Sequence, residues 1–376
     1  MKHIDGFSKG MGIGGWLTNY KRFNVLPRDQ RLTITIGDME HFESYITKRD
    51  VAYIASLGMD HIRLGFDQIV LEEKPYTYRK RILEILQDFS DWCTEYNLRL
   101  VLNMHKAVGN YCDILEESGL MQNQELQNRF IALWLKLEEE FSDNDNVVFE
   151  LLNEVVRATA EEWNIVAQKT IDTIRNANKN RLIIIGGTQW NNPPGLDDIK
   201  VFDDENIIYA FHCYAPHEFT HQQGVLQAPH MYYNRKMPYP SDDIERYRDF
   251  HRLMGKENAY SDIEKMDIEF LRAYLEPAKR FIEKYPDKIL WCGEFGTIRH
   301  CNITYRENWM RDMITLLKEW DIPYCVWNYL STPNDGNRFS LVDDDTRIIL
   351  SENMAKIIRG ETDKSVPCNV RTTLSF

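Results

Sequence analysis

Eight short apolar runs alternate along this chain with longer segments whose apolar residues recur at three and four, and few folds accommodate that alternation. The runs are "GMGIGG" (10–15), "HIRLGF" (61–66), "LRLVLNM" (98–104), "VVFELL" (147–152), "RLIIIGG" (181–187), "NIIYAFHCY" (206–214), "KILWCGEF" (288–295) and "PYCVWNY" (323–329). Between them, segments 47–57, 77–97, 125–141, 159–178, 267–286 and 303–320 carry helical spacing. Parallel strands joined by crossover helices follow. Eight such units predict an α/β fold, a closed (β/α)8 TIM barrel; the alternative is an open, doubly wound sheet. After the fifth strand, "TQWNNPPGLDDIK" is too short and too Pro-rich for a full helix. Residues 215–266, with Pro216, Pro229, Pro238 and Pro240, far exceed the usual strand-to-helix loop of about 2–6 residues. They are expected to be an insertion between strand 6 and helix 6, lying over the barrel mouth of a single domain that spans 1–376.

A chain of 376 residues suits one barrel with insertions. Its apolar content of 43% and charged content of 27% are those of a soluble globular protein, with no apolar stretch long enough to span a membrane. A formal charge of −13 repels phosphate backbones and anionic lipid, so neither nucleic acid nor membrane is an expected partner. The start, "MKHIDGFSKG", lacks the basic and apolar regions of a secretory signal. The seven cysteines form an odd set without a CxxC, and Cys213, Cys292 and Cys325 sit in strand-like runs. Free thiols and a cytoplasmic location are expected, unless a signal has been removed.

In such barrels chemistry sits at the carboxyl ends of the strands. The polar residues closing the runs are Arg63, His105, Asn153 with Glu154, His212 with Tyr214, Glu294 and Trp327. Any one of them alone is more often structural. Their coincidence at the same end of different strands is the signal, because burying an unpaired charge is costly. Two are carboxylates, as glycoside cleavage requires: one protonates the leaving oxygen and the other attacks the anomeric carbon or activates water. Arg63 could hold one carboxylate ionised, Asn153 could bond the sugar 2-hydroxyl, Tyr214 could orient the attacking carboxylate, and Trp327 offers a flat face to a pyranose.

Two motifs compete with this reading. "HEFTH" (217–221) matches the zinc-protease pattern, but it follows Pro216 and meets Gly224, so it has no long helix to carry it. A solvated loop, touching sugar through His217 or His221, is expected instead. "GMGIGG" satisfies the dinucleotide fingerprint, yet no strand precedes it. It is expected to be a glycine-rich first strand whose following Trp16 lines the cleft. Trp190, with Asn191 and Asn192, is a further candidate for sugar stacking. No metal or cofactor is required.

These stretches, "HIRLGFD", "LVLNMH", "ELLNE", "FHCY", "CGEFG" and "VWNY", resemble glycoside hydrolase family 5, the cellulase family, over residues 10 to about 330. The resemblance implies a retaining glycanase with Glu154 as acid/base and Glu294 as nucleophile. It also implies that Arg63, His105, Asn153, His212, Tyr214 and Trp327 hold the scissile sugar. "GIGGWL", "LLNEVV" and "THQQ" are most similar to the clostridial-type endoglucanases of that family, which act on β-1,4 and mixed-linkage β-glucans. The implied protein is a monomer that cleaves internal bonds. Its alternatives are a β-mannanase, an exo-acting β-glycosidase, a sugar-binding barrel without activity and a zinc hydrolase. The family often reads Asp-x-His-His after the third strand; here "NMHKAVG" keeps His105 but places Lys106 next to it, which bears on preference at the glycone side.

Overall fold

The computed structural model describes residues 3–18, 34–112, 119–225, 228–332 and 335–362. Among these, eight parallel strands close a barrel: β1 (Lys9–Leu17), β2 (His61–Asp67), β3 (Arg99–Lys106), β4 (Val147–Glu150), β5 (Ile183–Gly186), β6 (Ile207–Cys213), β7 (Ile289–Phe295) and β8 (Tyr324–Val326). Neighbours in sequence are neighbours in space, and β8 closes onto β1 from Lys9↔Tyr324 to Met11↔Val326. All eight expected strands are present. The open sheet is excluded because β1 and β8 are not edges.

The two-residue period of the strands sorts side chains into two layers. Ile62, Leu64 and Phe66 of β2 and Leu100, Leu102 and Met104 of β3 face the helices. Val101, Val148, Ile184, Ile208, Ile289, Trp291 and Cys325 form a separate buried cluster with Phe7, which stacks on His61. Filling the barrel in this way supplies the apolar burial, at about 1.5–3 kcal/mol per large side chain, that offsets polar groups at the next inward level. There the strands carry Arg63, Asn103, Glu150 and His212, all buried.

Two register shifts re-aim side chains. Between β6 and β7 the pairing passes from Phe211↔Cys292 to His212↔Glu294, leaving Gly293 as a bulge. Simple alternation would point Glu294 outwards with Cys292; the bulge turns it to the same side as His212. A Cβ at Gly293 would lie 2.9 Å from the Trp291 ring. On β1, Cβ atoms at Gly12 and Gly14 would lie 2.7 and 2.6 Å from the Trp327 ring. The glycine-rich strand therefore admits a neighbouring indole. Register shifts again between Ile13 and Leu17, where Gly15 takes φ +70°. This corrects the expectation for Trp16. The shift turns its side chain onto the helices, where it is 1% exposed, donates from Nε1 to Phe42 O at 2.8 Å and meets Phe89 edge-on at 5.1 Å. Trp16 is a core residue and does not line the cleft.

Helices cover the outside. Lys48–Ser56 and Ala160–Ala177 start at capping boxes, Thr47 with Asp50 and Thr159 with Glu162, while Asn123 caps Gln124–Glu140. Lys80–Glu95 buries Ile82, Leu86, Phe89 and Cys93 against the barrel. The expected helix over 267–286 is instead two, Ile268–Tyr274 and Glu276–Lys284, because Pro277 cannot donate to the preceding turn and starts a new one. A single 3-10 turn, Pro193–Leu196, follows β5. Among the described residues of 215–266 are helices His217–Thr220, Ala228–Tyr233 and Ile244–Leu253, and a bridge joins Ser241 to Met266. Phe219, Met237, Tyr239 and Tyr247 of this segment belong to the same buried cluster as the barrel's outer layer. Among the described residues no helix is long and apolar enough to cross a membrane. The six described cysteines are free; Cys368 lies outside the described residues.

Candidate active site

Arg63, fully buried on β2, is the hub of the site. Its Nε and Nη2 donate to the two oxygens of Glu150 at 2.6 and 2.7 Å, a bidentate pair inside the barrel. Nη2 also donates to Asn153 Oδ1 at 2.7 Å, and Nη1 donates to Glu294 Oε1. One guanidinium thus fixes Glu294 and Asn153 with donors that point in set directions. Glu150 was not singled out in the sequence. The available signal was a carboxylate inside the apolar run "VVFELL", two residues after the inward-facing Val148 and therefore on the same side of the strand.

Glu154 and Glu294 meet at His212. His212 Nδ1 lies 3.0 Å from Glu154 Oε1 and 3.8 Å from Glu294 Oε2, and a carboxylate oxygen of each glutamate lies with the imidazole inside a 4.8 Å circle. His212 Nε2 is buried without a hydrogen-bond partner among the described residues, so the ring proton belongs on Nδ1, where carboxylates accept it. Tyr214 donates its hydroxyl to Glu294 Oε2 at 2.8 Å. Burial first, and then the two carboxylates, push the Tyr214 hydroxyl well above its ordinary range, so it stays a donor.

The two carboxyls are driven apart. Burial raises Glu154, the Glu294 charge adds to the rise, and the His212 hydrogen bond opposes it; the net direction is upward. At Glu294 burial also works upward, but His212, Arg63 and His105 outweigh it and the Tyr214 hydrogen bond assists, so this carboxyl is held below the ordinary range. One carboxylic acid beside one carboxylate is the division of labour that glycoside cleavage uses.

Trp327 is half-buried beside His105, their rings stacked at 5.5 Å and 5°. His105 Nδ1 is bonded to Asn103 Oδ1 at 3.0 Å. Trp190 stands on the Glu154 side of the site, 42% exposed, within a left-handed turn in which Gln189, Trp190 and Asn191 have φ of 60°, 58° and 55°. Three such non-glycine residues in a row are unfavourable. The turn is held by His212 N–H donating to Asn191 O at 2.7 Å, by Asn191 Nδ2 donating to Asn153 O, and by Trp190 Nε1 donating to Cys112 O at 3.1 Å. The structure therefore brings Arg63, His105, Asn153, Glu154, His212, Tyr214, Glu294, Trp327 and Trp190 to the barrel mouth and leaves Trp16 out.

The "HEFTH" segment is not the solvated loop expected. It is one buried helical turn, with Glu218, Phe219, Thr220 and His221 each at most 6% exposed. His217 stacks on His221 at 3.8 Å and bonds His230 at 3.2 Å. Burial, then the neighbouring imidazoles, lower the pKa of His217 to about 3 and hold His221 well below its ordinary value, so both are neutral. The one group of three potential metal ligands found among the described residues is Glu154, His212 and Glu294. A divalent cation there would face the Arg63 guanidinium, already bonded to Glu294, so the donor set suits a proton and a sugar better than a metal.

A closed (β/α)8 barrel with a carboxylic acid and a carboxylate paired at its carboxyl end, a buried Glu294 beside a half-buried Glu154, defines a glycoside hydrolase. The chain belongs to the cellulase family, glycosyl hydrolase family 5, whose profile matches residues 30–332. Endoglucanase C of Acetivibrio thermocellus is 33% identical over 95% of this chain and 99% of its own length. Cellodextrinase A of Ruminococcus flavefaciens is 29% identical over 78% of this chain and 76% of its own. Among solved structures, a hyperthermophilic endo-β-1,4-glucanase in complex with substrate shares the fold with a TM-score of 0.71, at 21% identity over 94% of this chain and 97% of that one.

Proposed function

We propose that the protein is a retaining endo-β-glucanase acting on β-1,4 or mixed-linkage β-1,3/1,4 glucans, with Glu294 as nucleophile and Glu154 as acid/base. The observation that carries this reading is the spacing of the pair. Oxygens of Glu154 and Glu294 lie within 4.8 Å, which suits direct attack by one carboxylate and leaves little room for a water between them. Glu294, ionised and oriented by Arg63 and Tyr214, bonds to the anomeric carbon as the C–O bond to the leaving sugar breaks. Glu154 gives its proton to that oxygen. With Glu294 then esterified, the charge that raised Glu154 is gone, its pKa falls, and it takes a proton from the water that releases the sugar. His212 Nδ1–H, donating to Glu154 Oε1, leaves Oε2 to carry the transferred proton. Asn153, fixed by Arg63, serves the 2-hydroxyl, and Trp327 with His105 supports the glycone.

The test is the time course of products from barley β-glucan, glucomannan and cello-oligosaccharides. Rapid loss of β-glucan viscosity with mixed oligosaccharides, abolished in Glu154→Gln and Glu294→Gln and insensitive to chelator, is the expected result. Release of sugar from chain ends alone, or a preference for glucomannan, overturns it.

A further inference from the structure

A cavity of 570 Å³, within the size range of small-molecule sites, is lined by Glu154 and not by Glu294. It contains Glu154 and Tyr214 of the barrel. Cys112, Trp190 and Asn192 line it from the loops after β3 and β5, and the rest of the lining comes from residues 215–266 and the helix after them, among them His217, Glu218, His251, Tyr260 and Tyr274. Neither Arg63, His105 nor Trp327 takes part, so the glycone face lies elsewhere. In the mechanism above, Glu154 protonates the oxygen of the departing sugar, and the departing sugar must therefore occupy its side.

We propose that the inserted segment, through Tyr260 and the Glu218–His251 pair, builds the leaving-group subsite and selects an uncharged sugar there. This rests on the glycosidase reading. Tyr260 is fixed edge-on against His251 at 4.8 Å and against Phe270 at 5.5 Å, and its backbone, at φ +59°, is tied down by Arg248 donating to its carbonyl. Glu218, 2% exposed, is bonded to His251 Nε2 at 3.2 Å. Burial, then the Glu218 carboxylate, keeps the Tyr260 hydroxyl protonated as a donor. The wall thus combines the aromatic faces of Trp190, Tyr260 and Tyr274 with the Glu218 carboxyl, which His251 holds in place and which can accept from a sugar hydroxyl. Among the described residues no Lys or Arg lines the cavity, while Glu154 and Glu218 do, so an anionic sugar finds no partner.

Two substrates with the same cellobiosyl glycone separate the possibilities: cellotetraose, which expels cellobiose, and p-nitrophenyl β-cellobioside, which expels a phenolate. For Tyr260→Ala, kcat/KM on cellotetraose should fall about tenfold more than on the aryl glycoside, because binding energy from a remote sugar is spent in the transition state. Equal losses on both substrates, or no loss on cellotetraose, overturn the proposal. If Tyr260→Ala does not fold, Glu218→Gln is read by the same ratio. Wild-type protein that cleaves neither substrate refutes the glycosidase reading itself, a result distinct from failure of the subsite.

Discussion

Glu150→Gln removes one charge from the centre of the barrel with almost no change in volume. Glu150 and Arg63 are both fully buried, and their pair is bidentate at 2.6 and 2.7 Å. Arg63 keeps Glu294 as its counter-charge, so the loss is that of charged hydrogen bonds, about 1.5–3 kcal/mol, rather than that of an uncompensated buried charge. With an unfolding entropy of about 2.1 cal/mol/K per residue over 376 residues, this lowers Tm by about 2–4 °C. The substitution has a second effect. Arg63 would turn its whole charge on Glu294, so the Glu294 carboxyl drops further and the acid limb of the pH–rate profile moves to lower pH. The comparison is Glu319→Gln, which breaks a pair of similar geometry, Arg272 to Glu319 at 2.6 and 2.9 Å, at an exposed site. There the loss should be at most about 1 kcal/mol, or about 1 °C. Calorimetry and a pH profile on cellotetraose measure both effects. Glu150→Gln melting within about 1 °C of wild type, with an unmoved acid limb, would refute the view that Glu150 sets the charge of this site.

Gly14→Ala places a methyl 2.6 Å from the Trp327 ring and should displace the indole, lowering kcat/KM on cello-oligosaccharides about tenfold at a stability cost of about 1–3 kcal/mol; unchanged kinetics would remove Trp327 from the glycone site. Activity against pH should be bell-shaped. It falls with decreasing pH as Glu294, held low, takes up a proton, and it falls with increasing pH as Glu154, held high, loses one; a basic limb at the ordinary carboxylate range contradicts the assignment of Glu154. Trp16→Phe should lower stability by about 2 kcal/mol, through the lost bond to Phe42 O and the space left behind, with KM unchanged. A many-fold rise in KM at unchanged Tm would return Trp16 to the cleft.

The eight strands and the residues closing them were legible because the two-residue period and the barrel's closure tie a polar strand end to one place, the mouth. Trp16 was not, since Gly15 interrupts the alternation that carries Gly12 and Gly14 inward. The motif "GEFG" identified Glu294, but the bulge at Gly293 that aims it became visible only in the pairing of His212 with Glu294. Glu150 is hidden inside an apolar run that reads as a core strand, and its role depends on Arg63, 87 positions away. The buried state of "HEFTH" depends on aromatic neighbours such as His230 and Phe339, which no local pattern brings together.

The central claim is that Glu294 attacks the sugar, and covalent trapping tests it most directly. The enzyme is incubated with a 2-deoxy-2-fluoro-β-cellobioside bearing an activated leaving group, digested, and the labelled peptide sequenced by mass spectrometry. The account predicts one glycosyl adduct, on Glu294 in "CGEFG", that forms in the wild type and not in Glu294→Gln. An adduct on Glu154, or wild-type protein that hydrolyses the reagent to an inverted product without ever carrying a label, contradicts it.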